Sequence, residues 1–148
     1  MILRIINAAA EKYRDVIPND RWHEPYMAAD ELAREIASGV IFTGAELDQG
    51  LVGVMGRQEV LDVDLIRHAY VMPGVQAQGI GSLLLAHLCA QTSRPILVGT
   101  WAAATWAIAF YERHGFRLVP REEIASLLSR YWSIPDRQIE TSVVLTRP

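Results

Sequence analysis

Apolar and polar residues alternate most regularly over the middle of the chain, which is the pattern of half-buried β-strands. VIFTGAEL and LVGVMGRQ lie on either side of DQG and predict a hairpin whose turn uses Gly50. The segment VLDVDLIRHAYV continues the alternation and predicts one long strand that leads into Pro73. Three strands are therefore expected to follow one another at the centre of the chain.

Helical spacing of apolar residues alternates with short strand-like runs over the rest of the chain. AADELAREIAS predicts an amphipathic helix that stops at Gly39, and the leucine-rich segment after Gly79 predicts another. Further helices are predicted for AAATWAIAFYERHGF and for the segment lined by Ile124, Leu127, Leu128 and Tyr131. Short strands are predicted for LRII, RPILVGTW, RLVP and QIETSVVLTR. This order predicts an α/β (α+β) fold, with a mixed, twisted sheet and helices on both of its faces.

Length and composition fit one globular domain that spans residues 1–148. The 148 residues are 51% hydrophobic and 21% charged, and no repeat, low-complexity tract or linker divides them. The net charge of −3 provides no basic field, so neither nucleic acid nor an anionic membrane is an expected partner.

The N-terminal segment, the length of the apolar runs and the single cysteine indicate where the protein is located and whether it binds a metal. No apolar run approaches the roughly 20 residues that span a bilayer, and MILRIINAAAEKYRD becomes charged too early for a signal peptide. We therefore predict a cytoplasmic protein. Cys89 is the single cysteine and the four histidines are scattered, so neither a disulfide nor a metal site is expected.

A turn rich in glycine, VMPGVQAQGIGSLLLAHL, connects the long strand to the leucine-rich helix. Such a turn exposes backbone N–H groups at the positive end of a helix, where phosphates bind. Gly79 and Gly81 would let a pyrophosphate approach the backbone, and Gln76 would donate to a phosphate or brace the loop. A Walker lysine and a third glycine are both missing, which disfavours a nucleoside triphosphate or a dinucleotide. The alternative is a tight strand-to-helix connection that binds nothing.

The turn resembles the acyl-CoA-binding motif of the GNAT N-acyltransferase superfamily. The residues in register with that motif are Val71, Pro73, Gln76, Gly79, Ile80 and Gly81. Downstream, AIAFYERHGF is similar to the second signature of the family, and the residues that match it are Ala107, Phe110, Tyr111, Gly115 and Phe116. The resemblance implies the GNAT fold, with a sheet of six to seven strands, and acetyl-CoA as the co-substrate.

The resemblance also implies where acetyl-CoA binds. Pantetheine would add like a strand beside Ala69, Tyr70 and Val71, and the N–H at or next to Val71 would polarise the thioester carbonyl. The pyrophosphate loop would comprise Ala77, Gln78, Gly79, Ile80, Gly81 and Ser82, with Gln76 beside them.

The catalytic acid of the family has a matching residue in this chain, whereas its usual base does not. Tyr111 matches the general acid that protonates the CoA thiolate, with a core tyrosine as the alternative. The family's usual asparagine is replaced by Ala104, and Gly99 stands where many members carry a basic glutamate. The base would then lie elsewhere or act through water, and His68 is the candidate because an imidazole can accept a proton from an ammonium group directly or through water. Its alternative is a structural histidine on the strand, while Asp62 and Asp64 are interpreted as solvated positions.

The acceptor is expected at the loop PNDRWHEPYM, which lies between the helix-compatible segment AAEKYRDVI and the helix predicted for AADELAREIAS. Trp22, His23, Glu24 and Tyr26 would suit a small amine with an apolar or aromatic part, unless they anchor the loop to the core. The acceptor itself, a small molecule or a peptide amine, stays open. Whether the protein forms a homodimer through its sheet edges also stays open. The resemblance predicts an N-acetyltransferase, and the alternative is a non-catalytic CoA-binding module, since Ala104 and Gly99 replace family residues.

Overall fold

The structure is a computed structural model that describes residues 1–14, 16–17, 22, 24–48, 50–76, 78–132 and 136–148. The helices are α1 (Ile2–Ala9), α2 (Ala29–Ala37), α3 (Ile80–Ala90), α4 (Thr105–Arg113), α5 (Arg121–Tyr131) and α6 (Asp136–Glu140), and a 3₁₀ helix covers Ala10–Tyr13. The strands are β1 (Ile41–Leu47), β2 (Gly50–Val60), β3 (Val63–Val71), β4 (Ile96–Trp101), β5 (Arg117–Leu118) and β6 (Ser142–Arg147). They form a sheet in the order β1-β2-β3-β4-β6-β5. The predicted fold class, a sheet with flanking helices, is confirmed.

The chain divides into two compact units. The first comprises Met1–Glu59 and Ile66–Ser93, and the second comprises Val60–Leu65 and Arg94–Pro148. The single domain expected from the sequence stays a prediction. Among the described residues, no helix combines the length and the apolar character that a membrane crossing needs.

The first unit is built on α1 and the β1–β2 hairpin. Its core contains Ile5, Ile6, Met27 and Val54, all at most 2% exposed. The strand predicted for LRII is wrong, because these residues lie in α1. Ile2, Ile5 and Ile6 follow the i, i+3, i+4 spacing of a helix, and this spacing outweighs the strand preference of isoleucine.

The β1–β2 hairpin has the predicted antiparallel pairing, from Ile41 opposite Arg57 to Leu47 opposite Gly50. The single long strand predicted for VLDVDLIRHAYV is wrong at its start, because Val60 ends β2 and a turn precedes β3. Leu61 adopts a left-handed backbone at φ 53° in this turn. Leucine rarely takes that conformation, so the sequence carries no turn signal there.

The second unit packs α5 against β6 and β4. Val63, Leu65, Leu97, Leu128 and Val144 belong to its core and are at most 5% exposed. β4 and β6 are antiparallel, and α4 ends before a glycine with φ 87°, as its sequence predicts. The strand predicted for QIETSVVLTR is shorter than expected, because its first residues belong to α6.

Candidate active site

The glycine turn of the first unit opens directly into α3. Gly79 is the N-cap of α3 in the left-handed conformation, at φ 82°. Apart from Gly79 itself and its two neighbours in the chain, no atom of the described residues lies within 4 Å of the position that a Cβ on Gly79 would occupy. The first N–H groups of a helix have no partner within it, and the first turn of α3 contains no acidic residue. This helix start can therefore accept an anion. Ala77 lies outside the described residues.

Gln76 braces this turn. Its side-chain amide donates to the carbonyl oxygen of Val71 at 3.0 Å, which favours the bracing role among the two predicted from the sequence. The amide group of glutamine carries a second N–H, so bracing is compatible with a contact to phosphate. Gln76 thus fixes the carbonyl at the end of β3.

The geometry at the end of β3 determines which backbone N–H groups point towards β2 and which point away from it. The N–H of Met72 donates to the carbonyl oxygen of Val52 on β2 at 2.8 Å. Successive N–H groups of an extended strand point to opposite sides, so the Val71 N–H points away from β2. Ala69, Tyr70 and Val71 are all half-buried. This arrangement is compatible with an added strand beside β3.

His68 lies just before these residues and interrupts the regular strand. Its backbone adopts φ 58°, a left-handed conformation that a non-glycine residue seldom occupies. Its Nε2 contacts Oε2 of Glu35 on α2, and this contact is an ion pair only when the ring is protonated. The side chains of His68 and Glu35 are only 15% and 18% exposed. The prediction that His68 is a base stays a prediction, but the residue lies in a strained, largely buried position typical of functional sites.

Glu35 is held from a second side by Arg67. The guanidinium of Arg67 donates to Oε1 of Glu35 at 2.7 Å and to Oε1 of Gln58 at 2.9 Å. Burial raises the pKa of Glu35, but the contacts with His68 and Arg67 outweigh it, and the pKa lies below its ordinary value. Glu35 is therefore ionised at neutral pH.

Aromatic rings surround this part of the first unit. Tyr13 packs against Tyr26 at 6.3 Å and against Tyr70 at 6.4 Å, measured between ring centroids. Tyr70 in turn lies 6.5 Å from the ring of His68, and Phe42 lies 6.1 Å from it on the other side. We call this set, together with Trp22 at 5.4 Å from Tyr26, the aromatic row. It joins the predicted acceptor loop to His68.

The predicted acceptor loop is tied to the 3₁₀ helix region by a charged contact. Oε1 of Glu24 accepts from Arg14 at 2.6 Å and from the indole N–H of Trp22 at 2.8 Å. The guanidinium of Arg14 also lies 4.6 Å from the Trp22 ring centroid. The Glu24 carboxylate is thus engaged by two donors, which makes it a weaker anchor for a substrate ammonium group than its sequence position suggests. His23 lies outside the described residues.

Tyr111 belongs to the second unit, on α4. It is 5% exposed and packs against Phe110 at 5.2 Å and Phe116 at 5.5 Å between ring centroids. This burial fits both interpretations of the residue. Ala104 is fully buried at the start of α4, and alanine offers no side-chain oxygen to the helix or to a ligand.

The site of the missing glutamate is covered. A Cβ on Gly99 would lie 3.4 Å from the indole of Trp132. A side chain at this position would begin in van der Waals contact with that ring. A base is therefore not expected on this part of β4.

The two aspartates considered as bases serve the structure of the second unit. The interpretation of Asp64 as solvated is wrong, because Asp64 is fully buried, with Oδ1 3.5 Å from Nε of Arg94. Asp62 is exposed and accepts a 2.6 Å hydrogen bond from the hydroxyl of Tyr131, which lowers the pKa of its carboxyl. In the described part of the chain, no three His, Cys, Asp or Glu residues are close enough to hold a metal ion.

Sequence reasoning missed the partners of the candidate residues. Glu35, Arg67 and Arg14 stand on segments where charged residues are expected at the surface, so their types carried no signal. To find the contact of Glu35, the polar positions of α2 would have to be compared with those of β3, which is distant in sequence.

A family model described as an acetyltransferase (GNAT) domain matches residues 38–118, which is more than half of the chain. The matched region contains both the glycine turn and Tyr111. A comparison with curated proteins found no match.

Solved structures share the fold at low sequence identity. The PaiA N-acetyltransferase from Thermoplasma acidophilum, in complex with coenzyme A, has a TM-score of 0.72 and 14% identity, over 99% of this chain and 89% of that one. A GNAT-family acetyltransferase from Staphylococcus aureus Mu50 has a TM-score of 0.69 and 20% identity, over 99% and 89%. A GNAT-family acetyltransferase from Elizabethkingia anophelis with acetyl-CoA bound has a TM-score of 0.62 and 19% identity, over 88% and 90%.

Proposed function

Because the chain belongs to the GNAT acetyltransferase family, we propose that it transfers the acetyl group of acetyl-CoA to a primary amine, which attacks directly in a ternary complex. The observation that carries this proposal is the open helix start at Gly79. A glycine at φ 82°, with no described atom within 4 Å of its missing Cβ, suits the close approach of a pyrophosphate. Gln76, Gln78, Ile80, Gly81 and Ser82 would complete this phosphate site, together with Ala77.

Acetyl-CoA supplies an acetyl group that is activated as a thioester. The N–H of Val71, directed away from β2, would stabilise the negative charge that develops on the thioester oxygen. Ala69 and Tyr70 would present the neighbouring backbone to pantetheine. Tyr111 would give its hydroxyl proton to the CoA sulfur as the carbon–sulfur bond breaks.

His68 would remove the proton that the acceptor nitrogen loses as its new bond to the acetyl carbon forms. Since Nε2 of His68 faces Glu35, the proton would go to Nδ1. Solvent then takes the proton from His68 and restores the proton of Tyr111, so the reaction converts an amine and a thioester into an amide and a thiol.

The acceptor would bind near the aromatic row. Trp22 and Tyr26 favour an amine with an apolar or aromatic part, since aromatic faces attract both apolar groups and cations. His23 and Glu24 would contribute polar contacts at the edge of this site. The choice between a small molecule and a peptide amine is decided by a panel of amines, with release of free thiol as the measured signal.

The phosphate site is tested with Gly79→Val. We expect acetyl-CoA to bind more than tenfold more weakly by calorimetry, since the new side chain would fill the space of the phosphate. Gly39→Val is the matched control, because Gly39 also has a positive φ of 111° and open space at its missing Cβ. Equal affinity in folded Gly79→Val and in the parent protein would contradict the proposal.

The alternative function, a CoA-binding module without catalysis, is favoured by the buried Ala104 and by the covering of Gly99. It predicts tight acetyl-CoA binding without any amine-dependent release of thiol. Amine-dependent release above the rate without amine would exclude it.

A further inference from the structure

Glu35 and His68 come from elements that are distant in sequence. Glu35 lies on α2, and its Oε2 contacts Nε2 of His68 on β3. Both atoms are shielded from solvent. A carboxylate fixed against one ring nitrogen of a histidine determines which nitrogen carries the proton in the neutral ring.

The surroundings keep Glu35 charged and in place. Arg67 binds the other carboxylate oxygen at 2.7 Å and is itself held by Gln58 at 2.9 Å. The groups that pack on His68 are Glu35 from α2, Phe42 from β1 and Tyr70 from β3. The carboxylate of Glu35 is the one anionic group among these three.

We infer that Glu35 is a positioning residue for His68, which keeps the proton of the neutral ring on Nε2 and leaves Nδ1 to accept the proton of the acceptor amine. This inference rests on the proposed function, in which His68 is the base. When Nδ1 takes the proton, the ring becomes an imidazolium beside Arg67, and the negative charge of Glu35 offsets that repulsion. The same contact holds a residue whose backbone is strained at φ 58°.

The first test replaces Glu35 with glutamine. The amide of glutamine can donate to Nε2, which would move the ring proton to Nδ1 in part of the molecules and so reduce the fraction that carries an active base. We expect kcat to fall by roughly 10–10³-fold, less than the 10²–10⁴-fold expected for complete loss of a general base, while the KM for acetyl-CoA stays the same. The position of the acidic limb of the kcat/KM profile should also differ from that of the parent protein, because the ring of His68 has lost its anionic partner.

Asp30→Asn is the matched control, since Asp30 lies on the same helix in an exposed ion pair with Arg34 at 2.9 Å. It removes the same charge from α2 and should leave both the rate and the pH profile unchanged. A uniform loss of rate in Glu35→Gln, with the acidic limb in its original place, would overturn the inference, because a purely structural role predicts that result.

The second test needs no variant of Glu35. Nitrogen-15 spectra of the histidine side chains distinguish the two tautomers, and His68→Asn identifies the signals of His68 among the four histidines. We expect the neutral ring to carry its proton on Nε2. A proton on Nδ1 would overturn the inference even if the enzyme is active. Failure of the proposed function is distinguished by the absence of amine-dependent thiol release from the parent protein.

Discussion

Arg94 is expected to be the most important charged residue for stability in the second unit. Its guanidinium donates to the carbonyl oxygens of Leu61 and Val63 at 2.5 and 2.8 Å, on either side of the turn between β2 and β3. Its Nε also lies 3.5 Å from Oδ1 of the fully buried Asp64. Replacement with methionine keeps much of the aliphatic stem and removes all of these contacts.

The magnitude follows from the burial of Asp64. Removal of one partner from a buried ion pair costs about 3–5 kcal/mol, because water cannot take over the remaining charge. The hydrogen bonds to the turn add to this cost, but the contributions share one side chain and do not sum. Since a whole domain is stable by about 5–15 kcal/mol, Arg94→Met should remove a large part of the free energy of unfolding that is measured in urea.

The assay is urea unfolding, followed by circular dichroism, for Arg94→Met, Asp64→Asn and the double variant. Asp64→Asn removes the buried charge, so the double variant should be less destabilised than the sum of the two single variants. Arg14→Met is the control, because the ion pairs of Arg14 are exposed to solvent and therefore contribute little to stability. A loss below 1 kcal/mol in Arg94→Met, equal to that of the control, would refute the reasoning.

Two further predictions concern the proposed catalytic residues. For His68, we expect the glycine variant to be more stable than the alanine variant by about 1 kcal/mol, because a backbone at φ 58° disfavours a residue with a Cβ. At an ordinary strand position the alanine variant would be the more stable one. Both variants should lower the rate at neutral pH by roughly 10²–10⁴-fold. For Tyr111→Phe, turnover should fall by about 10–10³-fold with acetyl-CoA affinity retained, and by less with a donor whose leaving thiol has a lower pKa. An equal loss with both donors would make Tyr111 a packing residue, and alanine at position 68 as stable as glycine would argue against backbone strain.

The parts of the fold that the sequence predicts are those with a local signal. The β1–β2 hairpin, α3 and the end of α4 all have glycines at turns or caps, with φ above 80° at Gly50, Gly79 and Gly115. The turn at Leu61 was missed because its left-handed residue is a leucine and alternation continues across it. It is stabilised instead by Arg94, which is distant in sequence, and a local window contains no trace of such a contact.

The candidate site divides in the same way. The glycine turn and Tyr111 could be found because their residue types follow a pattern along the chain, whereas Glu35 is one of several acidic residues on α2. Only its contact with β3 distinguishes it from Asp30 and Glu31, and that contact exists only after the chain has folded.

The replacement of a glutamate by Gly99 and the strained backbone of His68 are connected through the chemistry of the proposed reaction. An amine that attacks a thioester must lose a proton. Trp132 lies against Gly99, the position where the resemblance to the family implies a basic glutamate. A base is then needed elsewhere, and a left-handed residue in a strand re-aims its side chain at a cost of about 1–3 kcal/mol. Such a cost persists only where surrounding contacts hold the residue. The contact with Glu35 and the rings of Phe42 and Tyr70 hold His68 in this way. If His68 were merely structural, His68→Gly would lower the rate by a similar factor at every pH, whereas loss of a base also changes the pH profile, and that profile therefore decides between the two roles.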